Sequence, residues 1–263
     1  MTRPKRPKAS LDGPIAKVAR AQSHLNDFKT HSGFVRAPGT YTFIPKIHRD
    51  GLDHIWYLDS PVVVGRDWAL MIGDAVHNLR SALDHLAWQL VIANGGGHAI
   101  TTQFPIHASD TRKNPYTGQI EARPCEVAGG IHPDALDIIK RVQPYNGGDE
   151  GDKLWRIHEL DVIDKHRYLI LSVTSLSWYG RNITDADSEI TGRWFARRME
   201  QGKPVLRITY ATPQHEINPS FHFGVDIAFD EDIPRLIKQP LHMVVQELVT
   251  FTGDFICSFE RFL

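Results

Sequence analysis

Between Gly73 and Leu90 the chain reads GDAVHNLRSALDHLAWQL, a helical run without a single Lys or Glu. With His77 at zero and 100° per residue, Ile72, Ala75, Val76, Leu79, Leu83, Leu86 and Leu90 fall between about 140° and 260°, an ordinary core stripe. The opposite side, centred on His77, carries Asp84, Trp88, Ser81, Asp74 and His85, with Arg80 towards one edge. A solvated face normally carries Lys and Glu, yet neither occurs from Gly51 to Arg112. Short directional groups beside a Trp predict that this second face is covered too, with its polar groups paired. Asp and His also form helix interiors less readily than Ala or Glu, so something other than helix formation favours them here.

Two explanations fit. In one, His77 with Asp84 and Arg80 with Asp84 are buried pairs that fix how helices meet. In the other, the same groups form a site.

The rest of the chain frames this helix. The long helix is predicted over 66–94, stopped by Gly95-Gly96-Gly97. A first helix is predicted over 14–29, with Pro14 in its opening turn and Ile15, Val18, Ala19, Leu25 and Phe28 at helical spacing. Alternation from Tyr41 to Ile47 and from His54 to Leu58 around RDGLD predicts a β-hairpin within 40–59. The stretch from Gly95 to Gly130 reads as an extended loop with a short strand at Gln103 to Ile106, of a length that often covers a site. Helices follow over 133–142 and 152–166, with NGGDEGD as a break between them.

The period then changes to two. YLILSVTSLSWY, RWFARRME, PVLRITYA and FHFGVDIAF predict an antiparallel sheet within 168–229, with Glu200 to Lys203 as a turn. A last helix over 240–263 is expected to bury Met243, Val244, Leu248, Phe251, Phe255 and Phe259 and to return against the long one. The predicted class is α+β, a small helical bundle around a long central helix joined to an antiparallel sheet, in a single domain over 14–263.

Bulk properties narrow the function classes. A net charge of −1 over 263 residues gives no global attraction to nucleic acid or anionic membranes. Two cysteines, Cys125 and Cys257, are too few for a disulfide framework, so a reducing, cytoplasmic setting is expected. No apolar run approaches the roughly 20 residues of a membrane helix, so no membrane partner is expected. Residues 1–13, with Arg3, Lys5, Arg6 and Lys8 and no apolar segment after them, read as a disordered basic tail, either solvated or touching nucleic acid. There is no P-loop, no G-x-S-x-G elbow and no G-x-G-x-x-G turn after a strand. Arg193, Arg197, Arg198 and Arg207 with Trp194 and Phe195 offer either a basic, aromatic face for RNA or a solvated sheet face.

Arg80-Ser-Ala-Leu-Asp-His85 has the form Arg-x4-His inside a helix. In this it resembles the HEPN superfamily of small helical ribonucleases, which cleave RNA without metal and usually face a twin motif across a homodimer. The resemblance implies His85 as general acid or base on the ribose hydroxyl or leaving oxygen, and Arg80 as stabiliser of the phosphorane charge. Arg49 to His54 matches the same spacing in the predicted hairpin, and Ser81 stands where the family usually has Asn, Asp or His. GDAVHNLRSALDHL and HELDVIDKHR also resemble a set of uncharacterised bacterial proteins, a likeness that carries no activity.

HELDVIDKHR adds a second polar cluster. His158, Asp161 and Lys165 share one helix side, with Glu159, Asp164, His166 and Arg167 on the flanks. The cluster is either a charged helix end or one half of a site. If this helix packs beside the long one, His77, Asp84, His85, His158 and Asp161 form a candidate ligand set for zinc, iron or manganese. No HExxH is present, and His77 and Asp84 stand two turns apart, about 10 Å of rise. Three expectations therefore stand: a metal-independent RNA endonuclease using Arg80 and His85, a metal-dependent hydrolase on the His/Asp set, and a non-enzymatic protein with a buried polar network.

Overall fold

The computed structural model describes residues 8–96, 101–167, 169–180, 190–194, 198–216, 221–230, 236 and 239–263, with 175–180, 190–194 and 221–223 described through the backbone. In chain order the elements are α1 (Asp12–Ser32), β1 (Phe43–His48), β2 (Asp53–Leu58), α2 (Arg66–Ala93), β3 (Thr111–Lys113), β4 (Ile120–Ala122), α3 (Pro133–Arg141), α4 (Gly148–His166), β5 (Leu171–Gly180), β6 (Ile190–Trp194), β7 (Pro204–Tyr210), β8 (Phe221–Phe229) and α5 (Leu241–Cys257). The class is α+β, with antiparallel pairing throughout the described strands. Two compact units emerge: residues 1–26, 71–168 and 245–263 in one, and 27–70 and 169–244 in the other. No described helix is long and apolar enough to cross a membrane.

In the first unit α2 supplies the core stripe that its period predicts. Ile72, Ala75, Val76, Leu79, Leu83 and Leu86 are fully buried, together with Leu154, Ile157 and Leu160 of α4 and Leu248 and Phe259 from the C-terminal segment. Its C-terminus is a Schellman motif. Gly95 has φ +75°, its N–H donates to Ile92 O at 3.0 Å, and Gly96 N–H donates to Val91 O at 2.9 Å.

Several boundaries and faces depart from expectation. Helix α1 starts at Asp12, where Ser10 Oγ accepts from the Asp12 N–H, and Ser10 N–H donates to Gln89 Oε1. Its buried residues are Pro14, Ala21, Leu25, Phe28 and Ser32, whereas Ile15 is exposed. Helix α4 takes in GDEG at its N-terminus, because Gly147 at φ +72° turns the chain and Asp149 and Glu150 then favour the positive end of the helix dipole. Gly151 lies against Gln143 O, a fit that a side chain would disturb. Helix α5 ends at Cys257 and tightens into a 3-10 turn, and Met243 is exposed. The tail residues Arg3, Lys5 and Arg6 lie outside the described residues.

In the second unit the hairpin is part of the sheet. Strand order is β1-β2-β7-β6, and β5 pairs separately with β8. Trp56, Leu206 and Ile208 form a core cluster on this sheet, with Phe43 and Tyr210 packed against it. The hairpin turn carries three positive φ values at Arg49, Asp50 and Gly51. The buried Asp53 holds it by accepting from Thr209 Oγ1 at 2.7 Å and facing Arg49 Nη1 at 3.4 Å. Arg49 and His54, the second match to the helical motif, thus belong to a hairpin. The turn at Glu200 to Lys203 forms, but β6 shares only Arg193 and Trp194 with the expected RWFARRME strand. Phe195 and Arg197 lie outside the described residues, so that basic, aromatic face is described only at exposed Arg198 and half-buried Arg207.

Strand β8 breaks its alternation at Asp226, which is buried along with Ile227, Ala228 and Phe229. Burial raises the Asp226 carboxyl, but His242, the Ile227 N–H at 2.7 Å and Arg36 Nη1 at 3.0 Å outweigh it and hold the carboxyl below its ordinary value. A carboxyl lowered on folding stabilises above its unfolded pKa and loses that contribution as pH falls through the folded value. Asp226→Asn is therefore expected to lower stability at pH 7 and to flatten the acid limb below about pH 4 in urea unfolding measured across pH. At the end of α2, a Cβ on Gly96 would stand 2.7 Å from Gly129 O. Gly96→Ala should cost about 1–3 kcal/mol by overpacking, and Gly95→Ala about 1–2 kcal/mol by left-handed strain, both read from chemical denaturation.

Candidate functional site

The polar face of α2 separates into three places. Arg80 and Asp84 hold the peptide of Phe104: Arg80 Nη2 donates to Phe104 O at 2.8 Å, and Phe104 N–H donates to Asp84 Oδ1 at 2.8 Å. Arg80 Nη2 also lies 2.9 Å from Asp84 Oδ1, closing the clamp. A second grip comes from the fully buried Gln143, just beyond α3. Its Nε2 donates to Pro105 O at 2.9 Å and to Ile139 O at 3.1 Å, and its Oε1 accepts from His107 N–H at 2.9 Å.

The expected strand at Gln103 to Ile106 does not form; Phe104 N–H and O, Pro105 O and His107 N–H bond side chains instead of a neighbouring strand. The loop also contains the short β3–β4 hairpin, which periodicity does not reveal.

His77 goes elsewhere. Its Nδ1–H donates to Asp161 Oδ1 at 3.0 Å, and Lys165 Nζ lies 2.6 Å from Asp161 Oδ2. The expected His77–Asp84 pair gives way to this contact between α2 and α4, because two helical turns separate His77 from Asp84 whereas Asp161 reaches across. Gly73 leaves room for the Asp164 carboxylate, which a Cβ there would strike. Burial, then Asp74 and Asp161, push the Asp164 carboxyl above its ordinary value.

His85 is the third place. It is exposed, close to Gly13 of α1, and about 140° around the helix from Arg80. Ser81 is half-buried. Among the described residues no group of three or more His, Cys, Asp or Glu is arranged to hold a metal ion, so His77, Asp84, His85, His158 and Asp161 do not form one ligand set.

On the clamped segment lies a cavity of about 360 Å³, lined among others by Arg80, Phe104, His107, Arg123, His158 and Glu159. Arg80 is 8% exposed. Its Nη1, His107 Nδ1 and His158 Nδ1 are buried without a hydrogen-bond partner among the described residues. Three residues from α2, the loop and α4 thus line one cavity, and each keeps a buried nitrogen with bonding capacity to spare. Burial lowers the His158 pKa first and Arg80 adds to it, against Glu159 and Asp161. Burial likewise lowers His107, helped by Arg123 and His158.

Asp84 shows what the clamp costs. Burial raises its pKa above the ordinary value in spite of Arg80 and the Phe104 N–H. Its contribution to stability is therefore greatest below the unfolded carboxylate pKa and is lost as pH rises through the folded value. The clamp serves to satisfy a buried peptide more than to gain from charge attraction.

A larger groove of about 510 Å³ runs between α4 and α5, lined by Asp149, Glu150, Lys153, Glu247, Phe251 and Asp254 among others. Lys153 there is met by Asp149 at 2.5 Å and Glu247 at 3.3 Å. Its cation is already paired, which sets it apart from the Arg80 cavity.

No protein-family model, curated protein or solved structure matches the chain.

Of the residues that sequence reasoning singles out, Arg80, Asp84 and His158 come together at the cavity and clamp. His107, Arg123 and Gln143 are not among the expected residues. His107 has a weak signal, as the polar end of the apolar run FPIH in a loop long enough to cover a site, whereas nothing in sequence marks Gln143. Gln143→Ala should destabilise the protein by about 2 kcal/mol or more, since it orphans buried Pro105 O and His107 N–H. Urea unfolding reads the loss, and faster amide exchange at His107 locates it.

Proposed function

We propose that this chain is a binding protein for an anionic small molecule, whose charged end enters the cavity beside Arg80 without help from a metal. The observation that carries this is the gathering of Arg80, Arg123, His107 and His158 in the lining of one cavity, where Arg80 is 8% exposed. A mixed apolar and polar lining with a few convergent polar groups is the usual form of a small-molecule site. The two imidazoles are also suited to move protons to and from a bound oxyanion.

The ribonuclease reading shares Arg80 with this one but needs His85, which lies on another side of α2. Arg80 lines the cavity while its Nη2 stays on Phe104. The homodimer expectation is tied to the resemblance, and the RNA expectation to the resemblance, the basic tail and the Arg193 to Arg207 face.

Thermal unfolding in millimolar phosphate, sulfate or acetate, at constant ionic strength and with chelator present, tests the proposal. At least one anion should raise Tm by an amount that grows as RT ln(1 + [L]/Kd). The rise should vanish in Arg80→Gln and His158→Ala and persist in His85→Ala. Equal shifts in wild type and both pocket variants would mean that the anions act on bulk solvent or elsewhere, and the proposal would fall. Metal-independent RNA cleavage lost in both Arg80→Ala and His85→Ala would replace it with the ribonuclease reading.

A further inference from the structure

We propose that the groove between α4 and α5 binds an organic ammonium, an amine whose cation meets Asp254 and whose apolar body lies on Phe251. The groove is a separate place from the cavity beside Arg80, and its lining falls wholly within the first unit. The first argument is an ammonium already held there. Lys153 Nζ lies 2.5 Å from Asp149, 3.3 Å from Glu247 and 5.7 Å from the centre of the Phe251 ring. Carboxylates and the face of an aromatic ring are the usual surroundings of a bound ammonium. The Asp149 hydrogen bond, with help from Glu247, outweighs burial and holds the lysine above its ordinary pKa.

The second argument is the charge left over. Arg156 and Lys153 both reach Glu247, and Lys153 also lies over Phe251, so α4 and α5 run in opposite directions along the groove. One turn further on stand Asp149 and Glu150 at the start of α4 and Asp254 near the end of α5. Asp149 has Lys153, whereas Glu150 and Asp254 have no ion pair among the described residues. The positive end of the α4 dipole favours Asp149 and Glu150. Asp254 has the reverse setting, because it falls in the last turn of α5, where a helix favours a cation and no basic side chain stands. A cation from outside meets at that point both a carboxylate and the negative end of a helix.

The third argument is shape. Among the described residues no three carboxylates are arranged to hold a metal ion, so a compact divalent cation lacks its ligands here. The groove has about 510 Å³ of space, and Phe251 and Phe255, whose rings stack 5.7 Å apart, form its apolar part. An amine with a hydrocarbon or aromatic body fills that space and buries apolar surface on it. A peptide would also bring backbone N–H and C=O groups, which helix walls with paired backbones do not match.

The test is calorimetric titration of the full chain, at neutral pH and one ionic strength, with hexylamine and phenethylamine. Their alcohols, calcium and N-acetyl-lysine amide serve as comparisons. At least one amine should bind about ten-fold or more tightly than its alcohol, which lacks the charge. Asp254→Asn should weaken that amine about ten-fold. Phe251→Ala should weaken it several-fold as the body loses its apolar floor, and Arg80→Gln should leave it unchanged. Asp254 is exposed and Phe251 half-buried, so both variants are expected to fold, which thermal unfolding checks. Failure of both amines to bind at millimolar concentration overturns the proposal, as does an alcohol bound as tightly as its amine or Asp254→Asn without effect. Calcium bound more tightly than either amine replaces it with a metal site, and N-acetyl-lysine amide bound more tightly replaces it with a peptide surface.

Discussion

A buried peptide must have its N–H and C=O satisfied, and in this protein Phe104 N–H and O, Pro105 O and His107 N–H meet that demand without a strand beside them. Arg80 and Asp84 of α2 serve one side, and Gln143 serves the other. The choice of Arg at 80 and Asp at 84 follows from this requirement. Long, flexible cations and carboxylates cannot hold fixed angles against a backbone, whereas Arg and Asp one turn apart present a donor and an acceptor at the spacing of one residue's N–H and C=O. The cost falls on Asp84, whose carboxyl is pushed up by burial.

The cavity is a by-product of the same arrangement. A guanidinium has more donors than one carbonyl and one carboxylate can take, so fixing Nη2 leaves Nη1 without a partner among the described residues. His107 enters because Gln143 fixes its backbone, and His158 enters because α4 lies against α2 along the His77–Asp161 and Gly73–Asp164 contacts. Two helices and one loop thus bring Arg80, His107 and His158 to one cavity by satisfying backbone and packing needs, and each keeps one buried nitrogen without a partner among the described residues. Such surplus is uncommon in buried polar groups, most of which are paired.

How far this is legible in sequence depends on the range of the interaction. The core stripe of α2 and its glycine stop are local, set by a 3.6-residue period and a left-handed cap, and both can be read directly. So can the hairpin at RDGLD. The start of α4 is harder to place because GDEG contains two residues that weaken a helix interior, while its acidic pair and the turn at Gly147 favour a helix start. Helical spacing singles out Arg80 with Asp84 but pairs His77 with the wrong carboxylate, since both candidates satisfy the same chemistry and only packing chooses between them. Gln143 and His107 are out of reach. The residues they bind are near one another only through a loop whose path no periodicity records, and a Gln that stands in for a strand looks like any other Gln.

A β-ladder repeats every two residues, and a strand within it can shift by one repeat and keep its hydrogen bonds. The segment from Phe104 to His107 has no such freedom. Its partners are a guanidinium, a carboxylate and a primary amide, each able to accept only one position along the chain, so they act as a key with unequal teeth. Length changes before Gln103 can be taken up by the loop, whereas one residue gained or lost between Phe104 and His107 would put the grip on Phe104 and the grip of Gln143 out of step with each other. Chain length in this protein is therefore most tightly specified in a stretch that has no regular secondary structure.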